Sequence, residues 1–217
     1  MAVNATAAPT QPPEDEENIF CGRAESDFDN VMFGTNAGET IWGTEKDDLI
    51  RGWGGNDTIY GVGGNDCLKG DDGIDHIWGG DGDDTLLGEK GTDRLIGDSG
   101  NDTMWGGDDY DKMLGEEGDD RLYGDLGDDR MFGMKGDDHI WGGDGEDMLV
   151  GSAGMDTLVG DAGYDRIWGG AVNDILFAGT GRYMVIGDEG NDKLYGEGGA
   201  IGFMTRKATI TSTAGLT

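Results

Sequence analysis

Starting at Gly34, the sequence repeats with a period of nine residues, and nearly every unit has the form Gly-x-x-Gly-x-Asp-x-apolar-x. Nineteen consecutive units, such as GWGGNDTIY and GVGGNDCLK, run from Gly34 to Met204 without a skipped residue. A short fixed period of this kind is typical of a solenoid, in which each repeat contacts mainly its neighbours. The repeat therefore limits the possible folds more than any other feature of the chain.

The repeat positions predict the local structure. Glycine occupies position 1 in eighteen units and position 4 in fifteen, which suggests backbone conformations that a Cβ disfavours or very close backbone approach. Position 8 is apolar in all nineteen units. Positions 7 to 9 are therefore predicted to form a three-residue strand with its middle side chain inward, after a six-residue turn. Two units then make one coil, and the predicted fold is an all-β parallel β-roll (a β-helix solenoid) of about ten coils.

Position 6 predicts a metal site. It is aspartate in sixteen units, and strands about 4.8 Å apart would stack these carboxylates into columns of like charge. A hard divalent cation that takes six to eight oxygen ligands would neutralise them, and calcium is the best match. Two Cys and two His without clustered spacing argue against zinc. The predicted metal ligands are Asp48, Asp57, Asp66, Asp75, Asp84, Asp93, Asp102, Asp111, Asp120, Asp129, Asp138, Asp147, Asp156, Asp165, Asp174 and Asp192.

The net charge fits the same interpretation. Neighbours on one edge are eighteen residues apart, so the file from Asp48 to Asp192 contains eight adjacent pairs and the file from Asp57 to Asp165 contains six. Up to about fourteen calcium ions would cancel most of the formal charge of −31. An acidic disordered tail is the alternative, but disorder does not require an apolar residue at every ninth place. We expect a chain that is largely unfolded without calcium and folded with it.

The repeat resembles the calcium-binding nonapeptide of the RTX (repeats-in-toxin) family, Gly-Gly-x-Gly-x-Asp-x-apolar-x. The resemblance implies calcium held between turns on the same edge. It implies ligands from the carbonyls of positions 2 and 4 and the Asp of one turn, with the carbonyls of positions 1 and 3 and the Asp of the next. One such site in this chain would use Gly80, Gly82, Asp84, Gly97, Ser99 and Asp102. Weaker or missing sites are expected around Lys46, Asp109, Val172 and Tyr183.

The remaining segments are short. The predicted organisation is a disordered acidic, Pro-containing leader over residues 1–18, an N-terminal cap over 19–33, the β-roll over 34–204 and a C-terminal tail over 205–217. The last units lose Asp and gain apolar residues, as expected of units that close a solenoid. Nothing in the spacing of Cys21 and Cys67 favours a disulfide, and two free thiols are expected because Cys67 occupies an outward strand position.

Calcium affinity suggests the compartment. Extracellular calcium modules typically bind at about 10⁻⁴–10⁻³ M, so the chain would be unfolded in resting cytosol and folded outside the cell. The resemblance to RTX proteins implies type I export without a cleaved signal peptide, and residues 1–10 lack a basic start and a long apolar run. No segment is long enough to span a membrane, and the net charge disfavours nucleic-acid partners.

The sequence does not predict an enzyme. It contains no His-Glu-x-x-His or Gly-x-Ser-x-Gly motif, and His76 and His139 sit at outward position 7, where surface histidines are expected. The predicted function is an extracellular calcium-binding β-roll that acts as a structural rod. Two alternatives remain open: the secretion and folding module of an RTX toxin or hydrolase, and a self-assembling fibre, adhesin or surface-layer component that pairs end to end.

A longer period of 63 residues relates Trp42 to Trp105 and Trp78 to Trp141. It equals seven units, an odd number, so the two copies are predicted to place these residues on opposite sheets. Most position-9 residues are apolar, and we interpret them as lying flat along the sheet rather than forming a binding face.

Overall fold

The computed structural model describes residues 19–196, 201–204 and 208–210, and in these residues the chain is all-β apart from the 3-10 helix Glu25–Asp27. About nine turns of about 18 residues each form a parallel β-solenoid, which confirms the predicted fold class. The predicted leader, residues 1–18, and most of the predicted tail, residues 205–217, lie outside the described residues.

The described strands follow one another at short intervals along the chain. Their bounds are β1 (Ile19–Phe20), β2 (Arg23–Ala24), β3 (Asn30–Phe33), β4 (Thr40–Trp42), β5 (Asp48–Arg51), β6 (Thr58–Gly63), β7 (Cys67–Asp72), β8 (His76–Asp81), β9 (Thr85–Lys90), β10 (Arg94–Ser99), β11 (Thr103–Asp108), β12 (Lys112–Glu117), β13 (Arg121–Leu126), β14 (Arg130–Lys135), β15 (His139–Gly145), β16 (Met148–Ala153), β17 (Thr157–Ala171), β18 (Ile175–Phe177), β19 (Thr180–Glu189), β20 (Asp192–Tyr195), β21 (Ile201–Met204) and β22 (Ala208–Ile210). β1 and β2 form a separate antiparallel pair in the cap.

The solenoid strands form two stacks. Each strand pairs in parallel with the strand one coil before and one coil after, so that Arg94 of β10 aligns with His76 of β8 and with Lys112 of β12. We call the stacks sheet I and sheet II. Sheet I contains β4, β6, β8, β10, β12, β14, β16, the second half of β17, β19 and β21. Sheet II contains β3, β5, β7, β9, β11, β13, β15, the first half of β17, β18, β20 and β22.

From β6 to β16, the strands contain six residues, or seven in β15, instead of the predicted three. In β10, pairing covers positions 7 to 9, omits Gly97 at position 1 and resumes at Asp98 and Ser99. Asp98, at position 2, has a φ of 75°, and position 2 is left-handed in every described unit from Trp53 to Asp188. Because this bend lies within the strand, only positions 4 to 6 separate consecutive strands. The predicted six-residue turn is therefore wrong.

The core is a single column of position-8 side chains from the two sheets. Every position-8 residue from Ile50 to Leu194 is 0% exposed, and together they form one continuous cluster. Burial of one such side chain contributes about 1.5–3 kcal/mol. The inward direction predicted for position 8 is thus confirmed in this range.

Position-9 aromatic rings stack on one another from coil to coil. Centroid distances within the stacks are between 4.0 and 5.1 Å. The stacks are Trp42–Tyr60–Trp78 on sheet I and Trp105–Tyr123–Trp141 on sheet II. The second stack is buried, whereas Trp42 at the start of the first is 60% exposed. The predicted placement of the 63-residue copies on opposite sheets is confirmed. The interpretation that the rings lie flat along the sheet is wrong, because the nearly parallel rings of sheet II face one another from strand to strand.

The N-terminal cap is covalently attached to the roll. Cys21 and Cys67 form a disulfide with their Cα atoms 6.1 Å apart, so the expectation of two free thiols is wrong. Cys67 does occupy an outward strand position, but it is buried in a cluster with Phe28 and Leu49, against which Cys21 packs. The cap covers this part of sheet II and brings the second cysteine within reach.

The last described strand continues sheet II. β22 pairs in parallel with β20 and aligns Leu194 with Ile210, a step of sixteen residues instead of the regular eighteen.

Candidate metal centre

The position-6 aspartates form two buried files, one along each edge of the solenoid. From Asp48 to Asp192, each of these residues is between 0 and 2% exposed. Asp is almost never buried to this extent unless it is paired, since transfer of a lone carboxylate out of water costs several kcal/mol. The files therefore need partners.

One oxygen of each carboxylate has a partner in the protein. The N–H of Asp66 donates to Asp84 Oδ1 at 2.8 Å, and the N–H of Asp84 donates to Asp102 Oδ1 at 2.9 Å. The same bond joins each regular pair along both files, at 2.7 to 3.1 Å. Each aspartate thus connects its own turn to the preceding turn through Oδ1.

The second carboxylate oxygen, Oδ2, has no hydrogen-bond partner within the described residues in nearly all of these aspartates. Fifteen Oδ2 atoms, at every described position-6 aspartate except Asp48, are buried without a hydrogen-bond partner within the described residues. Most buried polar atoms in proteins have a partner, and a repeated exception on one atom of one repeat position indicates a ligand-binding site. A buried carboxylate oxygen is unstable unless it binds a cation or accepts a hydrogen bond.

Glycine at position 1 keeps a space open in front of these atoms. A Cβ on Gly79 would lie 2.3 Å from Asp84 Oδ2 and 2.8 Å from the carbonyl oxygen of Gly97, one coil further on. The equivalent pair, one aspartate Oδ2 and one glycine carbonyl oxygen, faces Gly52, Gly61 and Gly106. Carboxylate and carbonyl oxygens that meet in a space without a donor form the ligand set of a hard cation such as calcium. The donor set therefore fits calcium.

Electrostatics leads to the same conclusion. Burial, reinforced by the charges of Asp66, Asp102 and Asp83, raises the pKa of Asp84 to about 8 despite the backbone hydrogen bond. Burial likewise raises the pKa of Asp111 to about 9 and of Asp120 to about 6. At neutral pH, Asp84 and Asp111 therefore favour a bound proton or cation inside the fold. A divalent ion between two neighbouring aspartates of a file removes their repulsion.

The predicted site between the turns at Asp84 and Asp102 is partly assembled in the structure. Asp84 Oδ2, Gly97 O and the Asp102 carboxylate lie at the same gap. Ser99 O accepts a hydrogen bond from the N–H of Gly82 at 2.8 Å, and Gly80 aligns with Asp98 in the strand ladder. The carbonyl ligands at Gly80, Gly82 and Ser99 stay a prediction.

Side chains alone do not complete a metal site. Within the described residues, no group of three His, Cys, Asp or Glu side chains converges. Each gap contains two aspartates of one file, so most of the six to eight oxygens that calcium takes must be backbone carbonyls.

A comparison with known families decides the relationship. A family model for the RTX calcium-binding nonapeptide repeat (4 copies) matches residues 33–68, 60–95, 69–104, 96–131, 123–154, 150–185 and 184–200. The chain belongs to this family. The matches cover residues 33–200 without a gap, and they confirm the resemblance seen in the repeat. No curated protein matches the chain.

The RTX units that depart from the pattern keep the fold. Asp109 and Val172 replace glycine at position 4 and adopt φ values of 77° and 84°. Tyr183 replaces aspartate at position 6, is buried, and aligns with Asp165. The gap beyond Asp165 thus has one carboxylate instead of two. Weaker or missing calcium sites at these units stay a prediction.

A ladder of position-5 side chains lies beside the position-6 file on the edge that contains Asp48. At position 5, Asn65 Oδ1 accepts the N–H of Asp83 at 3.0 Å, and Asp83 Oδ1 accepts the N–H of Asn101 at 2.8 Å. The direction is opposite to that of position 6, because here the earlier turn supplies the acceptor. This ladder is not among the sequence predictions, although its signal is visible as Asn or Asp at position 5 every eighteen residues from Asp47 to Asp137.

Proposed function

We propose that this chain is a secreted, non-catalytic RTX β-roll that folds when calcium enters the gaps between its turns and then acts as a structural rod. The observation that carries the proposal is the row of fifteen buried Oδ2 atoms without partners. Cation binding at these atoms would convert binding free energy into folding free energy. The number of ions is proposed to be at most about fourteen, one for each pair of aspartates on the same edge.

Two further features support the proposed compartment and the absence of catalysis. The Cys21–Cys67 disulfide suits an oxidising environment, because disulfides are rare in reducing cytosol. His76 lies in β8 on sheet I, whereas His139 lies in β15 on sheet II, so the two histidines do not form a pair. No helix within the described residues is long and apolar enough to span a membrane.

Circular dichroism during a calcium titration tests the proposal. A sample in excess chelator is expected to show little β signal, and the signal is expected to rise cooperatively as free calcium increases. Magnesium is the control, since it demands a tighter octahedral shell and dehydrates reluctantly. A full β signal in chelator would overturn the proposal, and an equal response to magnesium would overturn the selectivity for calcium.

A further inference from the structure

The first two repeat units satisfy their position-6 carboxylates without a cation. The N–H of Thr44 donates to Asp48 Oδ2 at 2.5 Å, and the N–H of Thr35 donates to Glu39 Oε2 at 2.9 Å. From Asp57 to Asp192 the equivalent oxygen has no donor among the described residues. Because consecutive units alternate between edges, each file begins with one carboxylate that the chain itself satisfies.

The local cause lies at position 2. Threonine occupies this position in the first two units and in no later unit. Position 2 is left-handed from Trp53 (φ 76°) onward, but Thr35 and Thr44 are not in that region. The φ angle sets the direction of the peptide group, and in the first coil the N–H points to the carboxylate. The hydroxyls also contribute: Thr44 Oγ1 donates to Asp48 Oδ1 at 3.3 Å, and Thr35 Oγ1 donates to Glu39 Oε1.

An amide takes the place of the next carboxylate below this coil. Asn30 aligns with Asp48 in the strand register. Its Nδ2 donates to Asp48 Oδ1 at 2.5 Å and to Thr44 Oγ1 at 3.0 Å. The file is thus closed at its N-terminal end by a neutral donor, because the residue aligned with Asp48 in the preceding described strand is an asparagine.

The cap holds this coil with contacts that need no metal. The Arg23 guanidinium donates to Asp47 Oδ2 at 2.9 Å and to Asn65 O at 2.8 Å, and it lies 4.2 Å from the ring centroid of Phe28. The Cys21–Cys67 disulfide joins the cap to β7. All of these contacts lie between residues 21 and 67.

We propose that residues 21–51, joined to Cys67 by the disulfide, are a calcium-independent folding nucleus, in which Thr35, Thr44 and Asn30 supply hydrogen-bond donors to Glu39 and Asp48 where calcium binds in later coils. The gap at Asp48 then takes no ion, which is one ion fewer than the number of aspartate pairs predicts. The remaining coils would assemble on this preformed template as calcium binds. The inference rests on the proposed function, since a template matters only where the other coils need calcium.

Amide hydrogen exchange on the full oxidised chain tests the inference by region. In chelator, the amides of residues 29–51 are expected to exchange at least about tenfold more slowly than those of residues 70–190, which exchange as an unfolded chain. As calcium is added, protection is expected to extend from the N-terminal side. Equal, unprotected exchange in both regions in chelator would overturn the inference and leave the proposed function intact. Protection of the whole chain in chelator would overturn both.

Side-chain variants show whether the threonines are responsible. Thr35→Val with Thr44→Val removes both hydroxyls and nearly preserves shape, and it is expected to lower the protection of residues 29–51 in chelator about tenfold. Thr85→Val with Thr103→Val is the matched control, because these threonines lie at position 7 of sheet II; it is expected to leave that protection unchanged. Equal protection in both variants would overturn the role of the threonine hydroxyls. If the first variant does not fold in calcium, the wild-type exchange map still decides between the outcomes.

Discussion

In the regular units, glycine is favoured at positions 1 and 4 of the repeat for different reasons. At position 4, Gly118 has a φ of +136°, and a Cβ would lie 1.7 Å from the carbonyl oxygen of Gly100 in the preceding turn. At position 1, Gly79 does not need a left-handed φ, but a Cβ would fill the space between Asp84 Oδ2 and Gly97 O. Position 4 therefore maintains the stacking of the turns, and position 1 maintains the cation cradle.

Substitution of a position-4 glycine should impair folding. Gly118→Ala combines an unfavourable φ with a backbone clash, and we expect it to cost about 2–4 kcal/mol, measured by urea unfolding in saturating calcium. Gly54→Ala is the control: Gly54 has no such φ, and the nearest atom to its Cβ would be 3.6 Å away. This variant should change stability by less than about 0.5 kcal/mol. Equal effects of the two substitutions would contradict the assignment.

Removal of one position-6 charge should remove calcium. Asp120→Asn keeps the Oδ1 acceptor for the N–H of Asp102 but replaces Oδ2 by a donor. We expect the variant to bind one or two ions fewer in equilibrium dialysis. Asp119→Asn is the control, because the exposed Asp119 uses its Oδ1 in the position-5 ladder, which asparagine preserves. Unchanged stoichiometry in Asp120→Asn would rule out Asp120 as a ligand.

Acid should stabilise the calcium-free fold. Burial raises the pKa of Asp66 to about 7 and of Asp129 to about 8, above the unfolded value of about 3.9. Between these values the folded chain binds more protons than the unfolded chain, so the free energy of unfolding falls as pH rises from about 4 to about 8. In chelator, the β signal should therefore increase on acidification from pH 8 to pH 5, and calcium affinity should decrease. A β signal that falls on acidification would contradict this prediction.

At the scale of elements, the disulfide is the main constraint on the cap. It closes a loop of 46 residues, for which the chain-entropy model gives about 4 kcal/mol of stabilisation. Cys21→Ser with Cys67→Ser should therefore lower the urea midpoint in calcium, and dithiothreitol should do the same to the wild type but not to the variant. A dithiothreitol effect in the variant would show that the reagent acts elsewhere.

The periodic elements could be predicted from the sequence, and the non-periodic ones could not. Position 8 identified the core, and position 6 identified the carboxylate files, because each recurs at a fixed place in the turn. The six-residue strands were missed because pairing resumes after position 1, where apolar periodicity gives no signal. The disulfide was missed because the cap lies outside the repeat, and only the folded chain shows that it covers Cys67. The roles of Thr35 and Thr44 depend on a backbone conformation that residue type alone does not predict.

Each edge of the solenoid contains one continuous file of position-6 aspartates. Binding of a cation in one gap therefore affects binding in the neighbouring gaps. A cation that binds between two turns orders both turns. One of these turns also supplies ligands to the next gap along the same edge, so half of that site is already in place. Occupation of one site thus lowers the conformational cost of its neighbours, as expected for a solenoid with nearest-neighbour interactions. Folding should therefore be steep in calcium concentration.

Compaction measures this coupling for the whole chain. An unfolded chain of this length has a radius of gyration of about 50 Å, and a compact one has about 17 Å, so small-angle scattering should show a fall of at least twofold as calcium is added. A coupled roll should pass between these values over a narrow calcium range, whereas independent sites would give a gradual decrease over more than two decades of concentration.

Sedimentation of the same samples separates compaction from end-to-end pairing: a monomeric mass supports a single rod, and a mass that grows with protein concentration supports a fibre. A radius of gyration near 50 Å in saturating calcium would contradict calcium-driven folding, which the single-rod and the fibre hypotheses both assume.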